Sequence, residues 1–318
     1  MYRPEIKVLD CTIRDGGLIN NHQFDMDFVK KVYRASAGAG IDYFEIGYKN
    51  SKDLFSTEEY GLWKFCDDHI IEEVIQGIES KTKISCMVDI GRVNMDDIKN
   101  ADESPVAMIR VACYVKDIDK AIAMANGFYE KGYETCINIM AISRDQGPEL
   151  DEAFEQIERE SHVIAVYLVD SFGYLYQETV SALTRRAKAI IKTKEVGVHF
   201  HNNQQLAFGN TIEAIIDGAN YLDATIYGIG RAAGNCNLEL LLGFLKNPKY
   251  DIRPLLDFIS TDMLKLREEI EWGYILPYAL AGMMNEHPRL AMALRNSDGK
   301  ENYREFYETM QSTSTDCL

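Results

Sequence analysis

The sequence predicts a parallel (β/α)8 barrel, the TIM barrel, with a helical extension at its C-terminal end. Short apolar runs alternate with longer segments of helical periodicity, which is the pattern of βα units around a parallel sheet. Eight such pairs follow one another in roughly the first 247 of the 318 residues. A (β/α)8 barrel takes about 250 residues, whereas a doubly wound open sheet, the alternative, usually has fewer strands.

The predicted strands are short and apolar, and the predicted helices lie between them. The strands span residues 6–12, 43–48, 84–89, 107–113, 135–141, 164–170, 196–201 and 222–227. The helices span residues 25–39, 62–80, 95–101, 118–131, 149–160, 178–192, 206–217 and 238–246. Several of these helices run into glycine, which commonly follows a helix C-terminus.

The alternation stops after about residue 247. Residues 252–271 have helical periodicity, residues 272–285 are aromatic and interrupted by glycine, and the last fifteen residues are polar. We therefore predict a barrel domain over residues 1–247 and a C-terminal helical extension over residues 248–318, with the polar end loosely held.

The composition narrows the class of partner. The net charge of −16 argues against nucleic acid, because binding a phosphate backbone relies on Lys and Arg. The sequence contains no apolar run long enough for a membrane span and starts with no secretory signal pattern. The seven cysteines form no CxxC pair, as expected for free thiols in a reducing compartment. We expect a cytoplasmic protein that acts on a small molecule.

Two distant stretches carry the residues of a metal site. His199 and His201 lie two residues apart in a predicted strand, so both side chains point to the same face. Arg14 and Asp15 follow the first strand, and barrel enzymes place their active site at the C-terminal ends of the strands. Two imidazoles and one carboxylate suit a divalent ion that keeps positions open for substrate. Asp15 is the expected third ligand.

Other polar residues in or after the strands have two readings each. Glu45 lies in an apolar strand and either forms a structural ion pair, with Arg110 as a candidate partner, or contacts the substrate. Asp170 either caps the turn that follows it or contacts the substrate. Residues 228–235 are rich in glycine, but their spacing matches neither a P-loop nor a dinucleotide fingerprint, so we expect a close backbone turn near the metal.

Five motifs in this order carry a family resemblance. They are LDCTIRDGG (residues 9–17), FEIG (44–47), DSFG (170–173), VHFHNN (198–203) and GIGRAAGN (228–235). Together they resemble the DRE-TIM metallolyase superfamily over about residues 5–245. That superfamily includes 4-hydroxy-2-oxovalerate aldolase, hydroxymethylglutaryl-CoA lyase, and the isopropylmalate and homocitrate synthases. The chain is most similar to the aldolase branch.

The resemblance implies a metal site and a type of reaction. It implies that Asp15, His199 and His201 bind a divalent metal and that Asn235 is a fourth or nearby ligand. It also implies that Arg14 stabilises an enolate held at the metal while a C–C bond beside a carbonyl is made or broken. Mn²⁺ or Mg²⁺ is the expected ion, and Zn²⁺ and Co²⁺ are the alternatives.

The same resemblance assigns residues around the substrate and shows one departure. Ser171 matches a substrate-contacting residue of the aldolases, and Tyr278 could supply a phenol from the C-terminal helices. Leu18 stands where the aldolases have the histidine that acts as general base. Leucine cannot accept a proton, so we consider His22 as a substitute base.

These residues predict a metal-dependent aldolase or lyase acting on a small 2-oxo acid. One alternative is an acyl-CoA condensing synthase of the isopropylmalate or homocitrate type. The other is a catalytically silent, metal-binding barrel that serves as a partner module, a reading that Leu18 keeps open. The extension is the expected docking surface for a second copy of the chain or for an aldehyde dehydrogenase-type partner.

Overall fold

The computed structural model describes residues 3–315 and forms the predicted closed barrel. Eight parallel strands pair in chain order, and the first pairs with the eighth, so the sheet has no open edge and the doubly wound alternative is wrong. The strands are β1 (Lys7–Asp10), β2 (Tyr43–Tyr48), β3 (Lys83–Asp89), β4 (Val106–Cys113), β5 (Glu134–Ile139), β6 (Ala165–Asp170), β7 (Glu195–Phe200) and β8 (Tyr221–Ala224).

Helices surround the barrel and continue into the extension. Those up to the last barrel helix are α1 (Thr12–Gly16), α2 (Met26–Gly38), α3 (Asp68–Ile75), α4 (Ile118–Glu130), α5 (Pro148–Glu160), α6 (Gln177–Ile190), α7 (Ala207–Ile216) and α8 (Leu238–Leu245). Those of the extension are α9 (Arg253–Phe258), α10 (Leu264–Glu269), α11 (Leu276–Met283), α12 (Arg289–Arg295) and α13 (Tyr303–Thr315). A π-helical turn, Ile259–Met263, joins α9 to α10. None of the described helices is both long enough and apolar enough to span a membrane.

Several predicted boundaries were wrong for local reasons. The helix predicted over residues 62–80 is a 3₁₀ turn, Leu62–Lys64, followed by α3, because Cys66 has a φ of 47° that interrupts the helix. The helix predicted over residues 95–101 is replaced by two 3₁₀ turns, Met95–Asp97 and Ala101–Glu103. A segment this short gains too few hydrogen bonds to offset helix nucleation.

The first strand ends earlier than predicted, and this places α1 above the barrel. The Asp10 carboxylate accepts the Thr12 backbone N–H at 2.8 Å, which turns the chain out of the sheet. The Thr12 hydroxyl in turn accepts the Ile226 N–H at 2.8 Å and ties α1 to the segment after β8. As a result, the residues that follow β1 lie over the C-terminal mouth of the barrel.

Inside the barrel an apolar layer lies below a charged one. The apolar layer fills the N-terminal half and contains Leu9, Tyr43, Met108, Cys136 and Tyr167. Two residues further along β2, β4 and β8, the inward side chains are charged and fully or almost fully buried, namely Glu45, Arg110 and Asp223. Because side chains on one face of a strand recur every second residue, these charges form the next layer toward the C-terminal mouth.

The extension packs over that mouth. Asn285 contacts Ser143 at 2.6 Å, and Arg144 forms an ion pair with Glu286 at 2.8 Å, so the loop after β5 is tied to the segment after α11. Within the described residues, α13 extends to residue 315 and buries Phe306 in an apolar cluster of the extension, and the expectation of a loosely held polar end stays a prediction. Residues 316–318 lie outside the described part of the chain.

Candidate metal centre and active-site cavity

A cavity of about 550 Å³ opens at the C-terminal ends of the strands. This is the end at which (β/α)8 barrels place their active sites. Predicted site residues that line it are Arg14, Asp15, Ser171, His199 and His201, and Leu18 lies among them. The remaining walls come from the ends of β3 to β5 and from the segment between α11 and α12.

Asp15, His199 and His201 converge on the floor of this cavity. One ligand atom from each residue lies within 4.8 Å of the others, and all three residues are buried. His199 Nε2 lies 3.4 Å from Asp15 Oδ2, and the two imidazole rings meet edge to face with centroids 5.2 Å apart. His201 follows β7 rather than lying within it, and its backbone bridges to Asn235. This spacing allows all three residues to bind one ion.

The donor atoms fit a divalent metal. His199 Nε2 and Asn235 Oδ1 are both buried without any hydrogen-bond partner among the described residues. Asn235 is oriented by its Nδ2, which donates to Asp15 Oδ1 at 3.0 Å and to the Ile229 carbonyl at 3.0 Å. Buried polar atoms almost always have partners, so two unpartnered donor atoms beside a carboxylate fit a site for a divalent cation.

Electrostatics keep two of the three candidate ligands, Asp15 and His201, in their metal-binding forms, whereas hydrogen bonds to Asp15 and Asp223 raise the pKa of His199 despite its burial. Burial by itself would raise the pKa of Asp15, but Arg14 and the two histidines outweigh burial and hold that pKa well below its usual range. Burial lowers the pKa of His201 to about 3, so this imidazole is neutral and has a lone pair to donate. An ionised carboxylate and a neutral imidazole are the forms that metal binding requires.

Asp223 orients one of the ligands from behind. His199 Nδ1 lies 3.0 Å from Asp223 Oδ2, so Nδ1 carries the proton and the lone pair of Nε2 would be available to a metal ion. Burial would raise the pKa of Asp223, but Arg110 and His199 lower it below its ordinary value. Asp223 is therefore ionised and holds the ring in one tautomer.

The same carboxylate belongs to a closed ring of buried charges. Arg14 bonds Asp15 at 2.5 Å and Glu45 at 2.6 Å, while Arg110 bonds Glu45 at 3.0 Å and Asp223 at 2.6 Å. The contact of Asp223 with the histidine closes the ring. Three carboxylates against two guanidiniums leave one negative charge in excess, which favours a cation at this end of the barrel.

Five of the predicted site residues, Asn235 among them, do not line the cavity. The Glu45 side chain is fully buried below it and forms the ion pair with Arg110 that was one of its two readings. Asp170 accepts the backbone N–H groups of Tyr174 at 3.1 Å and Leu175 at 2.9 Å, which is the turn cap. Both carboxylates act on the site through the backbone and side chains that they hold.

His22 and Tyr278 are also set back from the cavity. The His22 ring packs edge-on against Tyr48 at 5.3 Å, and its Nδ1 is buried without a partner. Burial, with nearby Lys64 and Arg14, lowers the pKa of His22 to about 3. Tyr278 packs in the apolar cluster of the extension. Neither side chain is placed to contact a substrate in the cavity, so the geometry does not support the roles considered for them.

The sequence reasoning overlooked several residues that line or support the cavity. They are Asp89, Asp223, Arg231, His287 and Arg289. The sequence contains a signal for Asp89 and Asp223, because each is a carboxylate within an apolar strand segment, as Glu45 is. No local signal marks His287 and Arg289, since only the path of the extension brings them to the barrel mouth.

Comparison with known proteins agrees with this geometry. The family model described as HMGL-like matches residues 5–265. The 4-hydroxy-2-oxovalerate aldolase of Thermus thermophilus is 29% identical over 254 residues, which is 79% of this chain and 72% of that protein. The 4-hydroxy-2-oxovalerate aldolase 1 of Nocardia farcinica is 30% identical over 260 residues, or 80% and 73% of the two chains.

Solved structures show the same architecture. The N-terminal domain of a candidate aldolase from Bacteroides vulgatus is 31% identical with a TM-score of 0.81, covering 94% of this chain and 100% of that one. Hydroxymethylglutaryl-CoA lyase from Pseudomonas aeruginosa shares the fold at 16% identity and a TM-score of 0.67, covering 82% and 93% of the chains. Together with the match over residues 5–265, these similarities confirm the predicted resemblance: the chain belongs to the HMGL-like family.

Proposed function

We propose that the chain is a divalent-metal-dependent aldolase that cleaves the C3–C4 bond of a 4-hydroxy-2-oxo acid into pyruvate and an aldehyde. The observation that carries the proposal is the convergence of Asp15, His199 and His201 beside Arg14 on the cavity floor. The aldolase names of the curated relatives support it. The enzyme is a carbon–carbon lyase, and its substrate is a small 2-oxo acid.

The metal would be held by Asp15, His199 and His201, with Asn235 Oδ1 as a further donor. When bound, the ion would act as a Lewis acid toward the carboxylate and keto oxygens of a 2-oxo acid. The mixed oxygen and nitrogen donor set is compatible with Mn²⁺ and Mg²⁺, which we propose as the physiological ions.

Arg14 is held in one orientation for the developing negative charge. Its Nε donates to Glu45 at 2.6 Å and its Nη1 donates to Asp15 at 2.5 Å, while the residue lines the cavity. The second terminal nitrogen, Nη2, is then available to donate to the keto oxygen of the substrate. A preorganised donor of this kind stabilises charge as it develops, without rearranging during the reaction.

Ser171 is the proposed contact for the same half of the substrate. Its hydroxyl oxygen accepts the Ala141 N–H at 2.9 Å, and the residue lines the cavity. This contact uses a lone pair and leaves the hydroxyl proton free to donate. We assign Ser171 to binding a carboxylate or keto oxygen of the 2-oxo acid.

Asp89 is the candidate proton acceptor in place of the missing histidine. It ends β3 and lines the same cavity as Leu18. Burial raises the pKa of Asp89 above its ordinary value despite the opposing effect of Arg92 and Lys64. A carboxylate with raised proton affinity is better suited to accept a proton near neutral pH.

The proposed cleavage moves a proton to Asp89 and an electron pair to the pyruvate half of the substrate. Asp89 takes the proton of the 4-hydroxyl, the C–O bond gains double-bond character, and the C3–C4 bond breaks. The electron pair of the C3–C4 bond passes to the pyruvate half, where Arg14 offsets the negative charge. A proton delivered to C3 completes pyruvate, and the proton held at Asp89 is available for that step.

Two further expectations belong to this proposal. The six cysteines of the described part of the chain are buried free thiols, which suits the reducing cytoplasm. Docking of a second copy or of an aldehyde dehydrogenase-type partner on the extension stays a prediction. Exposed apolar side chains on the extension support it, including Leu256, Leu264 and Met283.

The test combines metal analysis with product detection. The protein is stripped with a chelator, reloaded with Mn²⁺, Mg²⁺, Co²⁺ or Zn²⁺, and assayed for pyruvate release from 4-hydroxy-2-oxo acids. We expect metal-dependent pyruvate release, and loss of both bound metal and activity in Asp15→Ala and His199→Ala. Release of free CoA from acetyl-CoA with a 2-oxo acid would indicate the synthase instead. Metal binding without lyase activity under any loading would favour the silent barrel.

A further inference from the structure

The walls of the cavity have an excess of positive charge that the reaction above does not use. Five cationic side chains line the cavity against three carboxylates. The chain as a whole carries a net charge of −16, so this local excess runs against the general trend. Cavities lined by one sign of charge concentrate ligands of the opposite sign.

Three of the five cations are already neutralised by neighbours. Arg14 pairs with Asp15 at 2.5 Å, and Arg92 pairs with Asp89 at 3.3 Å. Lys120 pairs with Asp117 at 2.8 Å. These three pairs use all of the carboxylates that line the cavity.

Arg231 and Arg289 are the two cavity cations that do not pair with a carboxylate of the cavity. Within the described part of the chain, neither guanidinium has a carboxylate oxygen within 4 Å or a hydrogen-bond acceptor, and Arg231 Nε is buried without a partner. Arg231 follows β8 in the glycine-rich segment, and Arg289 begins α12 of the extension. Both guanidiniums line the same cavity. Burial lowers the pKa of Arg231, Asp15 opposes that shift, and Arg289 adds to it. Arg231 is partly exposed and Arg289 is exposed, and two cations without a carboxylate partner at one cavity wall gain stability from an anion.

His287 completes the same wall. Its Nδ1 accepts the backbone N–H of Arg289 at 3.1 Å. Burial and the nearby guanidiniums of Arg231, Arg289 and Arg144 lower the pKa of His287 to about 4, so the ring is neutral. A neutral imidazole that accepts at Nδ1 carries its proton on Nε2 and can only donate there. His287 is therefore a hydrogen-bond donor rather than a base.

We propose that Arg231, Arg289 and His287 form a subsite for a second anionic group, a carboxylate or phosphate on the aldehyde half of the substrate. This inference rests on the proposed aldolase function and names its substrate class: a 4-hydroxy-2-oxo acid with a negatively charged tail. The carboxylate of the 2-oxo acid half does not account for these donors, because that half is assigned to Arg14, Ser171 and the metal ligands on the floor. The subsite is built jointly by the barrel and the extension.

The first experiment measures anion binding without catalysis. The metal-free protein is titrated with inorganic phosphate and, separately, with succinate, and heat or intrinsic fluorescence is followed. Arg289→Gln, at an exposed position where folding is not at risk, is expected to weaken binding roughly tenfold to a hundredfold. Arg231→Gln is expected to act in the same direction. Arg304→Gln, an exposed position on α13 with the same change in charge, is the matched control and should bind as the parent protein does.

The second experiment compares two substrates that differ only in the tail. One is 4-hydroxy-2-oxoheptanoate, which ends in a methyl group, and the other is 4-hydroxy-2-oxoheptanedioate, which ends in a carboxylate. With the metal-loaded enzyme we expect kcat/KM to favour the dicarboxylate, and Arg289→Gln to remove that preference while preserving cleavage of the methyl-ended substrate.

The outcomes separate the two proposals. Cleavage of both substrates with equal kcat/KM, together with unchanged phosphate and succinate binding in Arg289→Gln, overturns the subsite and leaves the aldolase standing. Cleavage of neither substrate overturns the aldolase, while anion binding that depends on Arg289 still supports the subsite. Stronger binding of phosphate than of succinate would identify a phosphorylated tail, and the reverse would identify a carboxylate.

Discussion

Replacing Asp223 with asparagine tests whether the carboxylate behind the metal site controls metal affinity. Asparagine has nearly the same size and shape, so the change removes a charge and leaves the packing intact. Asp223 Oδ2 contacts His199 Nδ1 at 3.0 Å and accepts from Arg110 Nη2 at 2.6 Å. Without the negative charge, the contact with the Nδ1 proton weakens, and the imidazole more readily carries its proton on Nε2, the atom proposed to bind the metal.

The size of the effect follows from these two contacts. Loss of an outer carboxylate that orients a histidine ligand costs about 10- to 100-fold in metal affinity, which corresponds to about 1.4–2.8 kcal/mol. Arg110 would keep only one of its two charged partners, Glu45. Because asparagine can still accept a hydrogen bond from Arg110, we expect the free energy of unfolding to fall by about 1–3 kcal/mol.

The assay measures both quantities on the same samples. Mn²⁺ affinity is obtained by competition with a chelator of known affinity, and stability is obtained by urea unfolding of the metal-free protein. Asp42→Asn is the matched control, because Asp42 is a largely buried carboxylate paired with Lys249 at 3.0 Å at the opposite end of the barrel. Its loss should lower stability and leave Mn²⁺ affinity within about twofold of the parent value.

One result would refute this reasoning. If Asp223→Asn binds Mn²⁺ within about twofold of the parent protein, Asp223 does not set the tautomer of His199. An equal loss of Mn²⁺ affinity in Asp42→Asn would also refute it, since general destabilisation would then explain both variants.

Three other substitutions test separate parts of the site. Asp89→Asn should lower kcat by about 10²- to 10⁴-fold with Mn²⁺ affinity unchanged, whereas Asp117→Asn, which changes another carboxylate of the cavity, should retain most activity. The parent enzyme should lose activity as the pH falls through the raised pKa of Asp89, because a protonated carboxyl cannot accept a proton. Gly230→Ala should weaken Mn²⁺ binding by roughly tenfold or more, because its Cβ would lie 2.1 Å from the amide nitrogen of Asn235, while Gly243→Ala, which has open space around it, should bind normally. Arg110→Met should lower the free energy of urea unfolding by about 3–5 kcal/mol by leaving two buried carboxylates short of a partner; a loss below about 1 kcal/mol would contradict the ring of charges.

Local sequence information was sufficient for the barrel and for the floor of the site. The pattern of apolar runs predicted all eight strands, because a strand buried on both faces must be apolar along its length. The two-residue spacing of His199 and His201 predicted that they share a face, and the structure brings both to Asp15. Strand ends were less accurate, since Asp10 turns the chain out of β1 through a side-chain hydrogen bond that periodicity does not report.

Polar residues were harder to assign because their type alone does not tell what they contact. Glu45 and Asp170 each had a structural reading and a substrate reading, and the structure shows the ion pair and the turn cap. His22 was considered as a base on residue type and proximity in sequence, but its φ of 60° and its packing against Tyr48 set the ring behind the cavity wall.

The sequence by itself determined the fold class, the family and the residues of the candidate metal site, because strand periodicity and closely spaced polar residues are local properties of the chain. Only the tertiary structure decided which charges neutralise one another. Arg110 meets Asp223 across 113 residues, and the extension brings Arg289 to the same mouth as Arg231. A buried charge without a partner costs free energy, so each pairing affects the stability of the fold. Burial itself depends on contacts between segments that are distant along the chain.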